Sequence, residues 1–170
     1  METKARQLRG GKNTIGLWNF IAKLPENIIM AEIGSYAGES TKMFLDSGKV
    51  KFIHCIDYWK NEEQQDAERI FKEVMKPYEG KFKVIRDYSA NAEKHFTNHS
   101  LDGVYIDATH QYEFVKQDIQ LWLPKIKPGG FISGHDFSYN FPGVIQAVWE
   151  AFGKPDFVFG DASWIVFLNK

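Results

Sequence analysis

The stretch Ala31-Glu32-Ile33-Gly34-Ser35-Tyr36-Ala37-Gly38-Glu39-Ser40 runs from an apolar segment through two glycines four residues apart into a segment of helical period. An apolar strand, a glycine turn and a helix in immediate succession form the first half of a βαβ unit. The same alternation recurs on either side. Apolar runs of strand length stand at residues 28–33, 52–56, 82–85, 104–106 and 130–133, each followed by a polar turn and a helix-period segment. Three helices are read from Ala67, Ile70, Phe71 and Val74, from Tyr112, Val115, Ile119 and Trp122, and from Val144, Ala147, Val148 and Ala151. Ser40, Asn61, Ser89, Thr109 and Asn140 are the expected N-caps, Pro142 suits a first helical turn, and Pro124, Pro128 and Gly129-Gly130 are the expected stop of the helix through Trp122. Continuous apolar strands joined by helical crossovers predict a mostly parallel sheet covered on both faces. The last two runs, 157–159 and 164–168, are separated by only Gly160, Asp161, Ala162 and Ser163, too few residues for a parallel crossover, so they are expected to pair antiparallel.

Composition agrees with a single domain. With 170 residues, 44% hydrophobic and 25% charged, the chain can bury roughly 70% of its unfolded surface without a disulfide framework or a structural metal. Twenty-one basic against 22 acidic residues leave a net charge of −1, which provides no field for nucleic acid or an anionic membrane. Lys4, Arg6, Arg9 and Lys12 form the one basic stretch, read as a solvated tail; residues 14–22 follow as a short amphipathic helix through Ile15, Trp18, Phe20 and Ile21, closed by Pro25. Cys55 lies in an apolar run and is read as packing. No run approaches the roughly 20 apolar residues of a membrane span, and a polar stretch follows Met1, so a cytoplasmic location is expected.

In open parallel sheets ligands bind beyond the carboxyl ends of the strands. At the first exit Gly34 allows a tight turn and Gly38 lets a ligand approach the backbone, but the loop lacks the third glycine of a dinucleotide fingerprint. Asp57 ends the second strand about 20 residues on, where a carboxylate accepts ribose hydroxyls. The third exit, Arg86-Asp87-Tyr88-Ser89, offers small polar groups to an adenine edge or serves as turn and cap. At the fourth and fifth exits stand Asp107, His110, His135 and Asp136, and strands about 4.8 Å apart would bring the two carboxylates onto one cation, with His135 or His110 close by. The structural alternative is that Asp107 caps a helix and His135 packs in the crevice.

Glu32-Ile33-Gly34-Ser35-Tyr36-Ala37-Gly38-Glu39-Ser40 closely resembles motif I of class I S-adenosylmethionine-dependent methyltransferases, especially the catechol-type O-methyltransferases with their E-x-G-x-Y-x-G-x-S loop. The series Asp107-Ala108-Thr109-His110-Gln111-Tyr112-Glu113, then Asp118, Trp122, Leu123, Pro124, Gly129, Gly130, His135 and Asp136, is similar to the signature of a small type-24 group. That group shades into cephalosporin-hydroxylase-like and macrolide sugar O-methyltransferase relatives. The resemblance, over residues 27–168, implies a Rossmann-like three-layer α/β sandwich with a seven-stranded sheet and terminal antiparallel hairpin. With no internal repeat, low-complexity tract or linker, the chain is read as a tail and short helix over residues 1–26 followed by one domain over residues 27–170, which by the resemblance binds S-adenosylmethionine. By position Glu32, Gly34, Tyr36, Gly38 and Ser40 form the methionine and ribose side, Asp57 holds the ribose, Tyr58 flanks the adenine, and Asp87 with Ser89 borders its edge. Asp107 and Asp136 match metal ligands, with Mg or Mn as the cation. Where the catechol-type subgroup has an asparagine after the second ligand this chain has Phe137, so either His135 replaces the missing ligand or no metal binds. The base lysine of that subgroup is His110 here.

Methyl transfer to a hydroxyl needs the acceptor oxygen held in line and relieved of its proton. His110 suits the second task, with Asp107 orienting it. The expected enzyme is an O-methyltransferase acting on a small sugar or phenolic hydroxyl, a sugar being preferred. Tyr36, Tyr58, Trp59, Phe137, Tyr139 and Phe141 are candidates for stacking on its ring, with core packing as their alternative role. Short loops leave little material for a lid and make an open site, or one completed in a homo-oligomer, plausible. The alternatives are an S-adenosylmethionine-binding protein without this catalysis, of cephalosporin-hydroxylase-like type, and a nicotinamide oxidoreductase, which the two-glycine loop and the hairpin disfavour. A nucleic-acid substrate is disfavoured by charge.

Overall fold

A computed structural model describes residues 11–60 and 62–168. The elements in chain order are α1 (Gly11–Lys23), β1 (Ile28–Ile33), α2 (Glu39–Asp46), β2 (Val50–Asp57), α3 (Glu62–Met75), β3 (Phe82–Arg86), α4 (Ser89–Ala92), β4 (Leu101–Ile106), α5 (Tyr112–Trp122), β5 (Ile126–Gly134), α6 (Pro142–Phe152), β6 (Phe157–Val158) and β7 (Trp164–Phe167). The seven strands form one sheet in the order β3-β2-β1-β4-β5-β7-β6. Pairs among β1 to β5 are parallel, whereas β7 runs antiparallel to both β5 and β6; β6 ends at Val158, one residue earlier than expected, and the five residues 159–163 that join it to β7 are too few for a parallel crossover. Order reverses between β1 and β4, which sets the switch point of the sheet at the exits of those two strands.

Successive strand residues face opposite layers. Met30, Ile53, Cys55 and Tyr105 pack with Phe20 of α1, Phe44 of α2 and Phe71 of α3, while Ala31, Ile33, Ile56 and Val104 pack with Ile119 and Trp122 of α5 and Val148 of α6. Cys55 is buried, as its apolar surroundings predict. Among the described residues no helix is long and apolar enough to cross a membrane.

Several local expectations shift. Phe20 and Ile21 of the first helix are buried as expected, but they share their inward stripe with Leu17 and with Leu24 just beyond the helix, which leaves Ile15 and Trp18 at 62% and 39% exposure. Caps are displaced: Gly38, Tyr88, Gln111 and Phe141 precede α2, α4, α5 and α6, and the hydroxyls of Ser40 and Ser89 serve buried carboxylates instead. Thr109 stands two residues before the Gln111 cap and Asn140 one before the Phe141 cap, and Ala151 is exposed, so α6 buries Val144, Ala147 and Val148. After α5 a single 3₁₀ turn holds Pro124, and Pro128, Gly129 and Gly130 belong to β5 rather than to a helix stop. The expected cap Asn61 and the basic tail through Arg9 lie outside the described residues.

Candidate active site

A cleft of about 1230 Å³ opens at the carboxyl ends of β1 to β4, with α5 on one wall. Its first wall is the glycine loop. Gly34 has φ +94°, and a Cβ there would lie 2.2 Å from the carbonyl oxygen of Asp107, so the exits of β1 and β4 touch backbone to backbone and admit no side chain. The loop is tied to β2 as well. Gly34 N–H donates to the Ile56 carbonyl at 2.8 Å, and Tyr36 N–H donates to Asp57 Oδ2 at 2.8 Å. Trp59 N–H donates to Asp57 Oδ1 at 3.1 Å. Burial raises the Asp57 pKa, and these backbone donors work against it. Two accepted bonds leave lone pairs on both oxygens free to meet a ligand's hydroxyls.

Two expected cofactor residues stand behind this surface. Gly38, at φ +81°, does not line the cleft, and a Cβ there would press to 3.0 Å on the Phe71 ring; its glycine answers backbone conformation and packing rather than the approach of a ligand. Glu32 is fully buried and accepts from Ser40 Oγ at 2.5 Å and from Thr41 Oγ1, so it fastens the start of α2 to β1. Burial raises its pKa despite these bonds. Tyr36, Ser40, Asp57 and Tyr58 line the cleft itself.

At the β3 end Tyr58 and Tyr88 stack, with centroids 4.0 Å apart and planes at 17°. Asp87 accepts from Tyr88 N–H at 2.7 Å and Asn91 Nδ2 at 3.0 Å, which hold its pKa down, so the turn-and-cap role is present. Ser89 turns its hydroxyl toward Asp118.

The other end carries the acids and imidazoles. Register pairs Ile106 with Gly134, so Asp107 and His135 leave the sheet as neighbours. Asp136 follows at φ +61°, a left-handed conformation uncommon outside glycine and the Asn/Asp class. His110 Nε2 lies 2.7 Å from Asp136 Oδ2 and 3.9 Å from Asp107 Oδ1. The two carboxylates, Asp107 and Asp136, raise the His110 pKa to about 9 against the opposing effect of burial. Burial would raise the Asp136 pKa, but hydrogen bonds from His110 and His135 hold it well below the usual carboxylate range. His135 Nδ1 stands 3.2 Å from Asp136 Oδ1 and 3.7 Å from Asp107 Oδ1, and its Nε2 is 3.8 Å from Asp161 Oδ2. Among the described residues the donors that converge for a cation are one atom each of Asp107, His110 and Asp136, mutually within 4.8 Å, so of the two imidazoles expected near the carboxylates it is His110, not the His135 of the ligand set implied by resemblance, that joins them.

Of the aromatic candidates, Tyr36 and Tyr58 line the cleft and Phe141 packs at 4.6 Å on the His110 ring. Phe137 packs against the α5–α6 layer. Trp59 is fully buried, its indole N–H donating to the Tyr36 carbonyl at 2.9 Å, and Tyr139 is 96% exposed; neither faces a ligand. Sequence reading missed Asp161, Thr41 and the place of Asp118 on the cleft wall. Only Asp118 left a signal: an acid on the buried stripe of Val115, Ile119 and Trp122.

A family model described as a methyltransferase domain, type 24, matches residues 31–137, well over half of the chain. A curated relative, the uncharacterized protein y4gI of Sinorhizobium fredii, is 26% identical over 144 residues; the match covers 79% of this chain but only 15% of that protein's length. Among solved structures, cofactor-bound Rv0187 from MTB has a TM-score of 0.70 at 12% identity, with 99% of this chain and 84% of that one covered. A putative S-adenosyl-L-methionine-dependent methyltransferase from Methanococcus maripaludis has a TM-score of 0.69 at 13% identity, with coverages of 94% and 86%. At such identities these two structures speak for the fold, and the family match carries the assignment. The chain belongs to the type-24 methyltransferase-domain family.

Proposed function

We propose that the protein methylates a hydroxyl of a small sugar or phenolic acceptor and that His110 takes the proton. The observation that carries this reading is the position of His110, on the wall of the same cleft as the glycine loop and Asp57 and paired with Asp136 across 2.7 Å. S-adenosylmethionine supplies a methyl group on a sulfonium centre that an oxygen nucleophile can displace. The chain supplies the rest. Asp57 grips the ribose diol, the rigid turn at Gly34 and Tyr36 holds the amino-acid portion, and Phe114 beside His110 offers an exposed face to the acceptor ring. Neutral His110 accepts the acceptor's proton, and Asp107 and Asp136 stabilise the imidazolium that results. A base whose conjugate acid titrates near 9 is well matched to a phenolic oxygen, which has a pKa of about 10.

A second reading is favoured by the convergence of Asp107, His110 and Asp136. Two carboxylate oxygens and an imidazole suit Mg²⁺ or Mn²⁺, which would supply Lewis-acid polarisation of the acceptor oxygen. Transfer of labelled methyl to paired phenolic and sugar panels, with and without chelator, tests both readings. Labelled phenol in the presence of chelator supports the base alone; activity lost to chelator and restored by Mn²⁺ supports the cation; label on neither panel contradicts the proposed acceptor.

A further inference from the structure

Asp118 of α5 stands where the amphipathic pattern calls for an apolar residue, and it is only 4% exposed. Its carboxyl group is oriented from behind. Trp122 Nε1 donates to Ser89 Oγ at 2.8 Å, and Ser89 Oγ donates to Asp118 Oδ1 at 2.5 Å. An indole N–H can only donate, so the serine proton is committed to the carboxylate and the two bonds fix its direction. Oδ2 receives no hydrogen bond from any described residue, and Asp118 borders the main cleft. Burial pushes its pKa up to about 6, with the Ser89 bond opposing, so above neutral pH the group is an anionic acceptor. A buried carboxylate with an open lone pair is costly unless a ligand brings a donor to it.

We propose that Asp118 reads the purine of the cofactor, its Oδ2 accepting a hydrogen bond from the 6-amino group of adenine. The assignment rests on the reading of this cleft as an S-adenosylmethionine site with the ribose at Asp57. Strand order then sets the direction: His110 follows β4, Asp57 ends β2, and the Ser89 turn to which Asp118 is bonded follows β3, at the far side of β2. A nucleoside held by its diol at Asp57, with its reactive end toward His110, extends its base toward that turn. Asp87, the other acid there, accepts from Tyr88 and Asn91 and caps the turn.

S-adenosylhomocysteine and S-inosylhomocysteine separate the outcomes, because the first presents a 6-amino donor and the second a 6-oxo acceptor. Calorimetry on the wild-type protein is expected to show about 10- to 100-fold tighter binding of the adenosyl compound. Asp118→Asn, whose amide nitrogen can donate to the oxo group, is expected to lose or invert that preference, with a thermal melt confirming that the variant folds. Ser89→Ala frees the carboxylate without removing it and is expected to shrink the preference without inverting it. Equal wild-type affinities for the two compounds overturn the proposal without recourse to any variant. An unchanged preference in Asp118→Asn overturns it as well. Should neither compound bind, the cofactor site itself is refuted, a failure distinct from loss of purine discrimination.

Discussion

The two ends of the cleft use carboxylates in opposite ways. At the β1–β2 end Glu32 and Asp57 are engaged by short hydroxyls and backbone N–H groups, none of which titrates near neutrality. At the β4–β5 end Asp107 and Asp136 face His135 and His110, and the charge of His110 changes with pH. A binding surface gains from partners of fixed charge, because its geometry then persists across conditions. A centre that must accept a proton needs partners that change charge.

The sharpest way to break this division is at His110. His110→Ala is expected to lower kcat by about 10²- to 10⁴-fold, while binding of S-adenosylhomocysteine stays within a few-fold of wild type by calorimetry. A loss confined to KM would move His110 into acceptor binding and erase the contrast.

The pH profile sharpens the same point by a smaller factor. In chelator-treated protein kcat/KM should rise about tenfold per pH unit through neutrality and level near pH 9, where His110 becomes neutral. Stability should move the other way. The folded-state pKa of His110 is raised from 6.5, so its contribution is complete below about 6.5 and is lost as pH rises through about 9. The Asp136 pKa is lowered from 3.8, so its contribution is present above that value and fades only in acid. Thermal melts between pH 7 and 10 check the opposition. Asp136→Asn should shift the activity limb to lower pH, and a limb that stays in place would exclude the pairing seen in the structure.

Smaller still is the expected effect of Glu32→Gln, which removes the anionic acceptor shared by Ser40 and Thr41 and leaves an amide hydrogen to satisfy in a fully buried place. A loss of about 1–3 kcal/mol in chemical denaturation is expected, with the His110-dependent pH limb unmoved. A displaced limb would show that the two ends are coupled.

How legible this molecule is from its sequence follows the same boundary. Strands β1 to β5 and the hairpin are readable because apolar runs and a short loop are local signals. The caps are less so, since Ser40 and Ser89 look like helix starts until Glu32 and Asp118, distant in sequence, claim their hydroxyls. Asp57 is readable from its position after a strand. The pairing of His110 with Asp136 is not, because it depends on the β4–β5 register and on a left-handed turn at Asp136 that no local pattern announces. Asp161 enters through the packing of the β6–β7 turn beneath His135, which sequence spacing leaves open.

The most direct test of the account is calorimetric titration of S-adenosylhomocysteine into wild type, Asp57→Ala and His110→Ala side by side. The account predicts that Asp57→Ala weakens binding by about 100-fold, as expected for two lost hydrogen bonds to a charged group, while His110→Ala binds nearly as wild type does. Retained affinity in Asp57→Ala together with lost affinity in His110→Ala would contradict it.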